Sequence, residues 1–322
     1  MALLEVRDLA VDYPVRGAWW GRKRKLHAVS GVSFDIFPGE TVGLVGESGC
    51  GKSTLGRALV GLVEPSAGSI RLDGVELAGK LGNQARRTQY GKYQMIFQDP
   101  YGSLNPRLTI FESIDEVLRL RLKSSSTPER RKAAAQLLAR VGLEGEALDR
   151  YPHQFSGGQR QRIGIARSLA AEPRFIVADE PVSALDVSVQ AAIVNLLDDI
   201  RRETGTAFLF IAHDLAVVEH ISGRIMVMYL GRIVESAPSH ELIAHPRHPY
   251  TRALIGAVPD LHAVPSGEAL SGDVPSPLAP PPGCVFHPRC PFADEKCRCE
   301  APELTPTEAT GGHLCRCFHP LA

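Results

Sequence analysis

The sequence lacks an excess of charge of either sign, and it lacks long hydrophobic runs. Its 322 residues include 36 basic and 36 acidic side chains, so the formal net charge is zero. Charged residues make up 22% and hydrophobic residues 44%, which argues against disorder and against a basic surface that coats nucleic acid. The longest apolar runs, such as 208–212 and 225–230, are much shorter than the roughly 20 residues of a bilayer span. We therefore expect a globular chain that has no nucleic-acid partner and does not cross a membrane by itself.

Cysteine is also scarce over most of the chain. Of seven cysteines, only Cys50 precedes residue 284, and 12 of the 24 prolines lie from Pro259 onward. The first residues carry charges without a following apolar stretch, so we expect no secretory signal and a reducing, cytoplasmic location. Clustered cysteines in that compartment more often bind metal than form disulfides. The proline-rich stretch 275–282 predicts a stiff linker in front of the cysteines.

Apolar patterning predicts an α/β fold. Short buried strands, amphipathic helices and a hairpin alternate along the chain. The predicted strands are 3–13, 32–36, 41–45, 69–72, 175–178, 208–212 and the hairpin 225–229/233–235. The predicted helices are 54–62, 110–122, 128–141 with Thr127 as its cap, and one through Val189 and Ile200.

A glycine-rich loop lies between the predicted strand 41–45 and the predicted helix 54–62. The segment 46–53, GESGCGKS, fits the pattern G-x-x-x-x-G-K-[ST]. Its N–H groups can cradle phosphate oxygens, its lysine can reach the β- and γ-phosphates, and its serine can ligate Mg²⁺. The flanking strand and helix favour this interpretation over a chance turn. The expected ATP-binding residues here are Gly46, Ser48, Gly49, Cys50, Gly51, Lys52, Ser53 and Thr54.

Two carboxylates end the predicted strand 175–178. In nucleotide hydrolases, a buried strand that ends in acid supplies a second half of the site. We expect Asp179 to hold Mg²⁺ and Glu180 to orient or deprotonate the attacking water.

The segment 155–162, FSGGQRQR, resembles the signature of the ATP-binding-cassette (ABC) ATPases, and it precedes the Asp179-Glu180 strand as in that family. Further family motifs follow the same order along about 3–238. The resemblance implies roles for the Q-loop Gln98 on Mg²⁺ and water, the D-loop 183–186 and the switch His213, with Glu180 as the catalytic base. It implies a signature of Ser156, Gly157, Gly158 and Gln159 that completes the nucleotide site of the opposite subunit. Tyr13 is the candidate for stacking on adenine, with Trp19 and Trp20 as alternatives.

Two further segments, PYGSLNPR at 100–107 and HPYTRAL at 248–254, resemble the dipeptide/oligopeptide importer ATPases, most closely the F-type subunit. That resemblance implies a heterodimer with a homologous D-type ATPase. It also implies two membrane permeases, an extracytoplasmic solute-binding protein, and a peripheral position on the cytoplasmic face of the inner membrane. An importer of nickel or another small solute, a soluble ABC ATPase and an iron–sulfur redox protein are the alternatives. The basic stretch 17–25 with its two tryptophans is interpreted as a solvated insertion rather than a membrane contact.

The six C-terminal cysteines leave zinc, iron–sulfur and disulfides open by composition alone. The resemblance implies a [4Fe–4S] cluster, with zinc as the alternative. The thiols that match are Cys284, Cys290, Cys297 and Cys317. Cys299 and Cys315 remain as extras, and Cys315 could replace Cys317. His287 and His313 are expected at the surface rather than as ligands.

Together these features predict a P-loop NTPase (RecA-like) ABC nucleotide-binding domain. It spans 1–240, with an N-terminal antiparallel β subdomain and a helical subdomain at about 104–171. A peptide-importer-type C-terminal region follows at 241–322, with its cysteine-rich appendage at 284–317.

Overall fold

A computed structural model describes residues 1–15, 24–78, 89–257, 272–307 and 312–321. The chain forms two compact units. The first unit contains residues 1–80 and 210–322, and the second contains residues 81–209. Among the described residues, no helix is both long and apolar enough to span a bilayer.

The first unit contains an antiparallel sheet of four strands. These strands are β1 (Leu4–Val15), β2 (Arg24–Ile36), β4 (Ala67–Leu72) and β5 (Val75–Glu76), in the order β2-β1-β4-β5. Alternate residues of β1, including Leu4 and Val6, are fully buried, as the period of two along a half-buried strand requires. The two predicted strands at the start of the chain are therefore confirmed, and both are longer than predicted.

A mixed set of strands forms the rest of this unit's sheet structure. Strand β3 (Thr41–Val45) pairs in parallel with β9 (Arg224–Tyr229), which forms a hairpin with β10 (Arg232–Pro238). All five residues of β3 are buried, which explains its continuous apolar sequence. The cysteine-rich segment joins these strands, because β12 (Leu314–Cys315) pairs with β10 and with β11 (Thr305–Pro306).

The described residues of the first unit also form five helices. The helix predicted at 54–62 begins two residues earlier, because Gly51 serves as its N-cap. The helices are α1 (Lys52–Leu59), α7 (Leu215–Ile221), α8 (Ser239–Ala244), α9 (Pro249–Gly256) and α10 (Glu295–Cys299).

The second unit is mainly helical and has two parallel strands, β6 (Tyr93–Ile96) and β7 (Phe175–Asp179). A further strand, β8 (Ala207–Ile211), contains the boundary between the units. The helices of this unit are α2 (Pro100–Ser103), α3 (Ile110–Arg121), α4 (Thr127–Arg140), α5 (Gly157–Leu169) and α6 (Val187–Thr204).

The predicted cap of α4 is wrong by one residue. Ser126, not Thr127, precedes the helix. Its N–H donates to Glu129 Oε2 at 2.6 Å and its hydroxyl to the same oxygen at 2.8 Å. A glutamate three residues after the cap satisfies the otherwise unpaired N-terminal donor, so Glu129 fixes the helix start and Pro128 falls at the second position.

Candidate functional site: the nucleotide-binding motifs and the cysteine segment

The glycine-rich loop follows β3 directly and leads into α1. Gly51 adopts φ +110°, and a Cβ there would lie 2.1 Å from the carbonyl oxygen of Ala28. A Cβ on Gly46 would lie 2.2 Å from the carbonyl oxygen of Met228. Both ends of the loop therefore need glycine, because the chain passes against backbone that a side chain would displace.

Lys52 begins α1 and is 5% exposed. Its ammonium donates to the carbonyl oxygens of Gly46 at 2.7 Å and Glu47 at 3.1 Å. Burial raises the pKa of the neighbouring Cys50 thiol, which disfavours the nucleophilic thiolate form. The loop thus holds one cation at the N-terminus of a helix, the arrangement that binds phosphate.

In the first unit, the residues expected to bind adenine and the γ-phosphate lie on different structural elements. Tyr13 is half-buried on β1, opposite Leu26 of β2. Trp19 and Trp20, the alternatives, lie outside the described residues. His213 is exposed in the short link between β8 and α7. Asp214 caps α7 by accepting the N–H of Ala216 at 2.9 Å, which fixes the start of the helix that follows the histidine.

In the second unit, the structure brings Gln98 and Glu180 together. Asp179 ends β7 and is 2% exposed. The Gln98 side-chain amide donates to Glu180 Oε2 at 2.8 Å and lies 3.4 Å from the Ser183 hydroxyl. Glu180 has a φ of +46°, which is costly for a residue with a side chain and is typical of functional sites. The carboxylate that sequence analysis chose as the base is thus held by the predicted Q-loop amide.

The signature segment forms the N-terminus of α5. Ser156 caps the helix by accepting the N–H of Gln159 at 3.3 Å, and Gln159 Oε1 accepts the N–H of Ser156 at 3.0 Å. Both residues are exposed. A Cβ on Gly158 would lie 2.6 Å from Val189 Cγ1, so α5 and α6 approach closely at this point. The helix start has the positive end of a helix dipole at the surface, where an anion can bind.

Four of the C-terminal thiols share an environment. Burial raises the pKa of Cys284, Cys290, Cys297 and Cys317, that of Cys317 to about 11. The charges of the other three cysteines add to the effect on Cys317. Each of the four accepts at least one main-chain N–H, for example that of His319 to Cys317 Sγ at 3.3 Å. These N–H donors act against the effect of burial, because they favour the thiolate form that binds metal.

The two remaining thiols of the segment differ from these four. Cys299 is exposed and donates to Glu295 Oε1 at 3.6 Å. Cys315 is buried on β12, where burial and the nearby Glu235 charge raise the pKa of its thiol. The structure also brings together a group that the sequence did not indicate: Asp294, Cys297 and His319, whose potential ligand atoms lie within 4.8 Å of one another. Asp294 and Cys297 are three positions apart at the start of α10, where Asp294 accepts the N–H of Cys297 at 2.9 Å, whereas His319 is more than 20 positions away.

The expected surface position of His313 is wrong. His313 is 1% exposed, and its Nε2 lies 2.6 Å from Oε1 of the fully buried Glu235. His287 is half-buried, with Nδ1 2.9 Å from the carbonyl oxygen of Cys284. The buried position of His313 could not be read from the sequence, because it depends on a contact with Glu235, 78 positions away.

Two protein-family models match separate parts of the chain. The family model described as "ABC transporter" matches residues 29–183, and "Oligopeptide/dipeptide transporter, C-terminal region" matches residues 234–297. Among solved structures, cbiO1 of Clostridium perfringens, part of the cbiONQ ABC transporter complex, has a TM-score of 0.64 and 27% identity. That match covers 76% of this chain and 91% of the other. A dimeric ATP-binding cassette in a post-hydrolysis state bound to ADP and Pi also has a TM-score of 0.64, with 28% identity over 73% of this chain and 98% of the other.

Curated relatives match along nearly the whole chain. A probable peptide ABC transporter ATP-binding protein of Sinorhizobium fredii is 50% identical, with 100% of this chain and 91% of the relative covered. The oligopeptide transport ATP-binding protein OppF of Escherichia coli is 50% identical, with coverage of 94% and 92%. The di/tripeptide transport protein DppF of Pseudomonas aeruginosa is 47% identical, with coverage of 94% for both chains. The chain therefore belongs to the ATP-binding subunits of ABC transporters, and within that family it has the C-terminal region of the oligopeptide/dipeptide transporters.

Proposed function

We propose that this chain hydrolyses ATP to drive uptake of dipeptides or oligopeptides through an ABC importer. The observation that carries the catalytic part is the 2.8 Å hydrogen bond from Gln98 to Glu180, directly after the buried Asp179. A carboxylate fixed by an amide can be aimed at a water molecule, which is what a general base in phosphoryl transfer requires. The peptide specificity is supported by the matched C-terminal family and by the curated relatives.

In this proposal the loop binds the phosphates, and the carboxylates after β7 hold Mg²⁺ and activate water. Lys52 and the loop N–H groups bind the β- and γ-phosphates, and Glu180 takes the proton of the attacking water. Mg²⁺ would neutralise developing phosphate charge, with Ser53, Asp179 and Gln98 as the residues that hold it. His213 contacts the γ-phosphate. Most of the rate enhancement is electrostatic, because phosphoryl transfer needs positioned positive charge more than covalent chemistry.

The exposed start of α5 supports a role in dimer formation. Ser156, Gly157, Gly158 and Gln159 would complete the nucleotide site of a second ATPase chain, which we propose to be a homologous D-type subunit, with this chain as the F-type. ATP then joins the two chains and hydrolysis releases them. We assign the pair to the cytoplasmic face of the inner membrane, on two permeases supplied with peptide by a solute-binding protein.

Glu180→Gln tests the catalytic assignment. The variant keeps the shape of the residue and its contact with Gln98 but removes the base. We expect ATP binding to be retained and hydrolysis to fall by about 10²–10⁴-fold, measured on the transporter complex purified through a tag on this chain. If the variant hydrolysed ATP as fast as wild type, Glu180 would not be the catalytic base. Peptide uptake by cells carrying the variant should fall in parallel. If the tagged chain were purified without any permease, the proposed role in an importer would be refuted.

We also propose that Cys284, Cys290, Cys297 and Cys317 hold a [4Fe–4S] cluster. Their shared environment and their main-chain N–H donors support a four-thiolate site. The cluster would serve as a structural crosslink that ties together a proline-rich segment with a small apolar core. The four thiols bind and orient it, while the exposed Cys299 stays outside.

Iron and sulfide analysis of protein purified without oxygen tests this site. We expect about four irons and four sulfides per chain, about none in Cys290→Ser, and the full content in the control Cys299→Ser. A preparation that contains only zinc would refute the cluster. It would favour zinc, with Asp294 and His319 as further potential ligands near Cys297.

A further inference from the structure

Glu47 has an unusual position for an acidic residue. It is the second residue of the phosphate loop, and its side chain is 25% exposed. Every polar group that it carries is engaged. Its N–H donates to the Tyr250 hydroxyl at 2.8 Å, its carbonyl oxygen accepts from Lys52 Nζ at 3.1 Å, and its carboxylate accepts two hydrogen bonds from Arg289 at 2.7 and 3.0 Å.

Two of these partners come from the C-terminal region, more than 200 residues away in sequence. Tyr250 is fully buried near the start of α9, and its ring centroid lies 4.7 Å from that of Tyr229 and 5.4 Å from that of Phe286. Arg289 ends the short 3₁₀ turn His287–Arg289 and directly precedes Cys290. Among the described residues, the C-terminal region thus contacts Glu47 of the phosphate loop through the Tyr250 hydroxyl and the Arg289 guanidinium.

The Arg289 guanidinium is well placed to neutralise Glu47. Its side chain is 5% exposed, and its centre lies 5.9 Å from the centroid of the Tyr229 ring. A two-bond contact between guanidinium and carboxylate fixes both the position and the direction of the carboxylate. Without this cation, a carboxylate beside the loop would repel a triphosphate.

We propose that Arg289 is a positioning residue for nucleotide binding, which keeps the Glu47 carboxylate neutralised so that the loop accepts the polyphosphate. The proposal deepens the proposed ATPase function and rests on ATP binding by this loop. It gives the cysteine segment a role at the nucleotide site, because Arg289 lies between Cys284 and Cys290. Arg289 acts through Glu47 and takes no part in the chemical step.

The test measures the dissociation constants of ATP and ADP on the full chain for four proteins. These are wild type, Arg289→Gln, the double variant Glu47→Gln/Arg289→Gln, and the control Arg298→Gln. The control removes the same charge from an exposed position of the same segment. We expect Arg289→Gln to weaken ATP binding by about tenfold and ADP binding by less, since ADP carries less negative charge. The double variant should recover to within about threefold of wild type, because no unpaired carboxylate remains.

A role in folding alone would produce a different result. If Arg289 only braced the structure, the double variant would bind as weakly as Arg289→Gln, and ATP and ADP would be affected equally. Either result overturns the proposal, as does unchanged ATP binding by Arg289→Gln. If Arg289→Gln fails to fold, Arg289→Lys keeps the charge and loses one hydrogen bond, and it should retain most of the ATP affinity. Absence of ATP binding by wild type would instead refute the proposed function itself.

Discussion

The phosphate loop and the cysteine segment belong to the same unit of the chain, yet they are built in opposite ways. The residues that define the loop, Gly46, Gly51 and Lys52, follow β3 in one short stretch of sequence, although the loop packs against the backbone of Ala28 and Met228. The cysteine segment depends on partners far away, such as the contact of His313 with Glu235 and that of Arg289 with Glu47. A local motif can be recognised in a sequence, whereas a segment held by distant partners cannot be placed until the fold is known.

Removal of the loop cation should have the largest effect. Lys52→Ala takes away the ammonium that reaches phosphate, and two charge-assisted hydrogen bonds correspond to at least about 100-fold in affinity. Titration of the purified chain with a fluorescent ATP analogue measures the change. Arg57→Ala, exposed on the same helix, is the matched control and should bind within about twofold of wild type. Equal binding by Lys52→Ala would remove the loop from the nucleotide site.

The stability of the cysteine segment at 284–317 should depend most on Glu235 of the neighbouring strand β10. This carboxylate is fully buried, contacts His313, and accepts the N–H groups of Arg247 at 2.6 Å and His248 at 3.0 Å. Glu235→Gln leaves these donors a weaker acceptor, so we expect a loss of about 2–4 kcal/mol in the free energy of unfolding. Chemical denaturation gives this value, and hydrogen exchange should show faster opening of β12.

A control on the same segment separates burial from charge. Glu300→Gln changes an exposed glutamate, and its effect should stay within about 0.5 kcal/mol. If Glu300→Gln destabilised the chain as much as Glu235→Gln, the buried contact would not be what holds the segment.

Lower pH should loosen the same region. Burial lowers the pKa of His248 to about 4, opposed by the Glu235 charge, from about 6.5 for an exposed histidine. Between these values the unfolded chain binds a proton that the folded chain does not, so stability falls as the pH decreases from 6.5 toward 4, by roughly 3 kcal/mol. His248→Asn keeps an acceptor for the Tyr250 N–H and removes the titration. Its free energy of unfolding should change less than that of wild type between pH 6.5 and 5, and an identical slope would exclude His248 as the source.

The smallest effect should come from Gly49, which falls at an unrestricted position of the loop pattern, whereas Gly51 is one of its two required glycines. A Cβ on Gly49 meets no atom within 4 Å, and only its φ of +78° opposes a side chain. Gly49→Ala should therefore cost about 1–2 kcal/mol of stability and keep ATP binding. Gly51→Ala should lose ATP binding, because its Cβ would collide with the Ala28 backbone. If the two variants bound ATP equally well or equally poorly, the close contact at Gly51 would not be what distinguishes the two positions.

Much of the fold was predictable because periodic apolar patterns in the sequence indicate its strands and helices. The strand β3, the hairpin of β9 and β10, and the helix α6 all follow from short buried runs or a helical stripe. Helix ends were less predictable. The cap of α4 shifted from Thr127 to Ser126 because a glutamate side chain, rather than the pattern, decided the start.

The residues of the candidate site also fall into those that the sequence predicted and those that only the structure revealed. The sequence by itself determined the phosphate loop, the carboxylates after β7 and the order of the family motifs, because each is a short stretch whose chemistry depends on neighbouring residues. Only the tertiary structure decided that Gln98 holds Glu180, that His313 is buried against Glu235, and that Arg289 neutralises Glu47. These contacts join residues 78 to 242 positions apart. The groups of each contact are brought together only when the chain folds, and the buried His313 and Arg289 side chains need these partners.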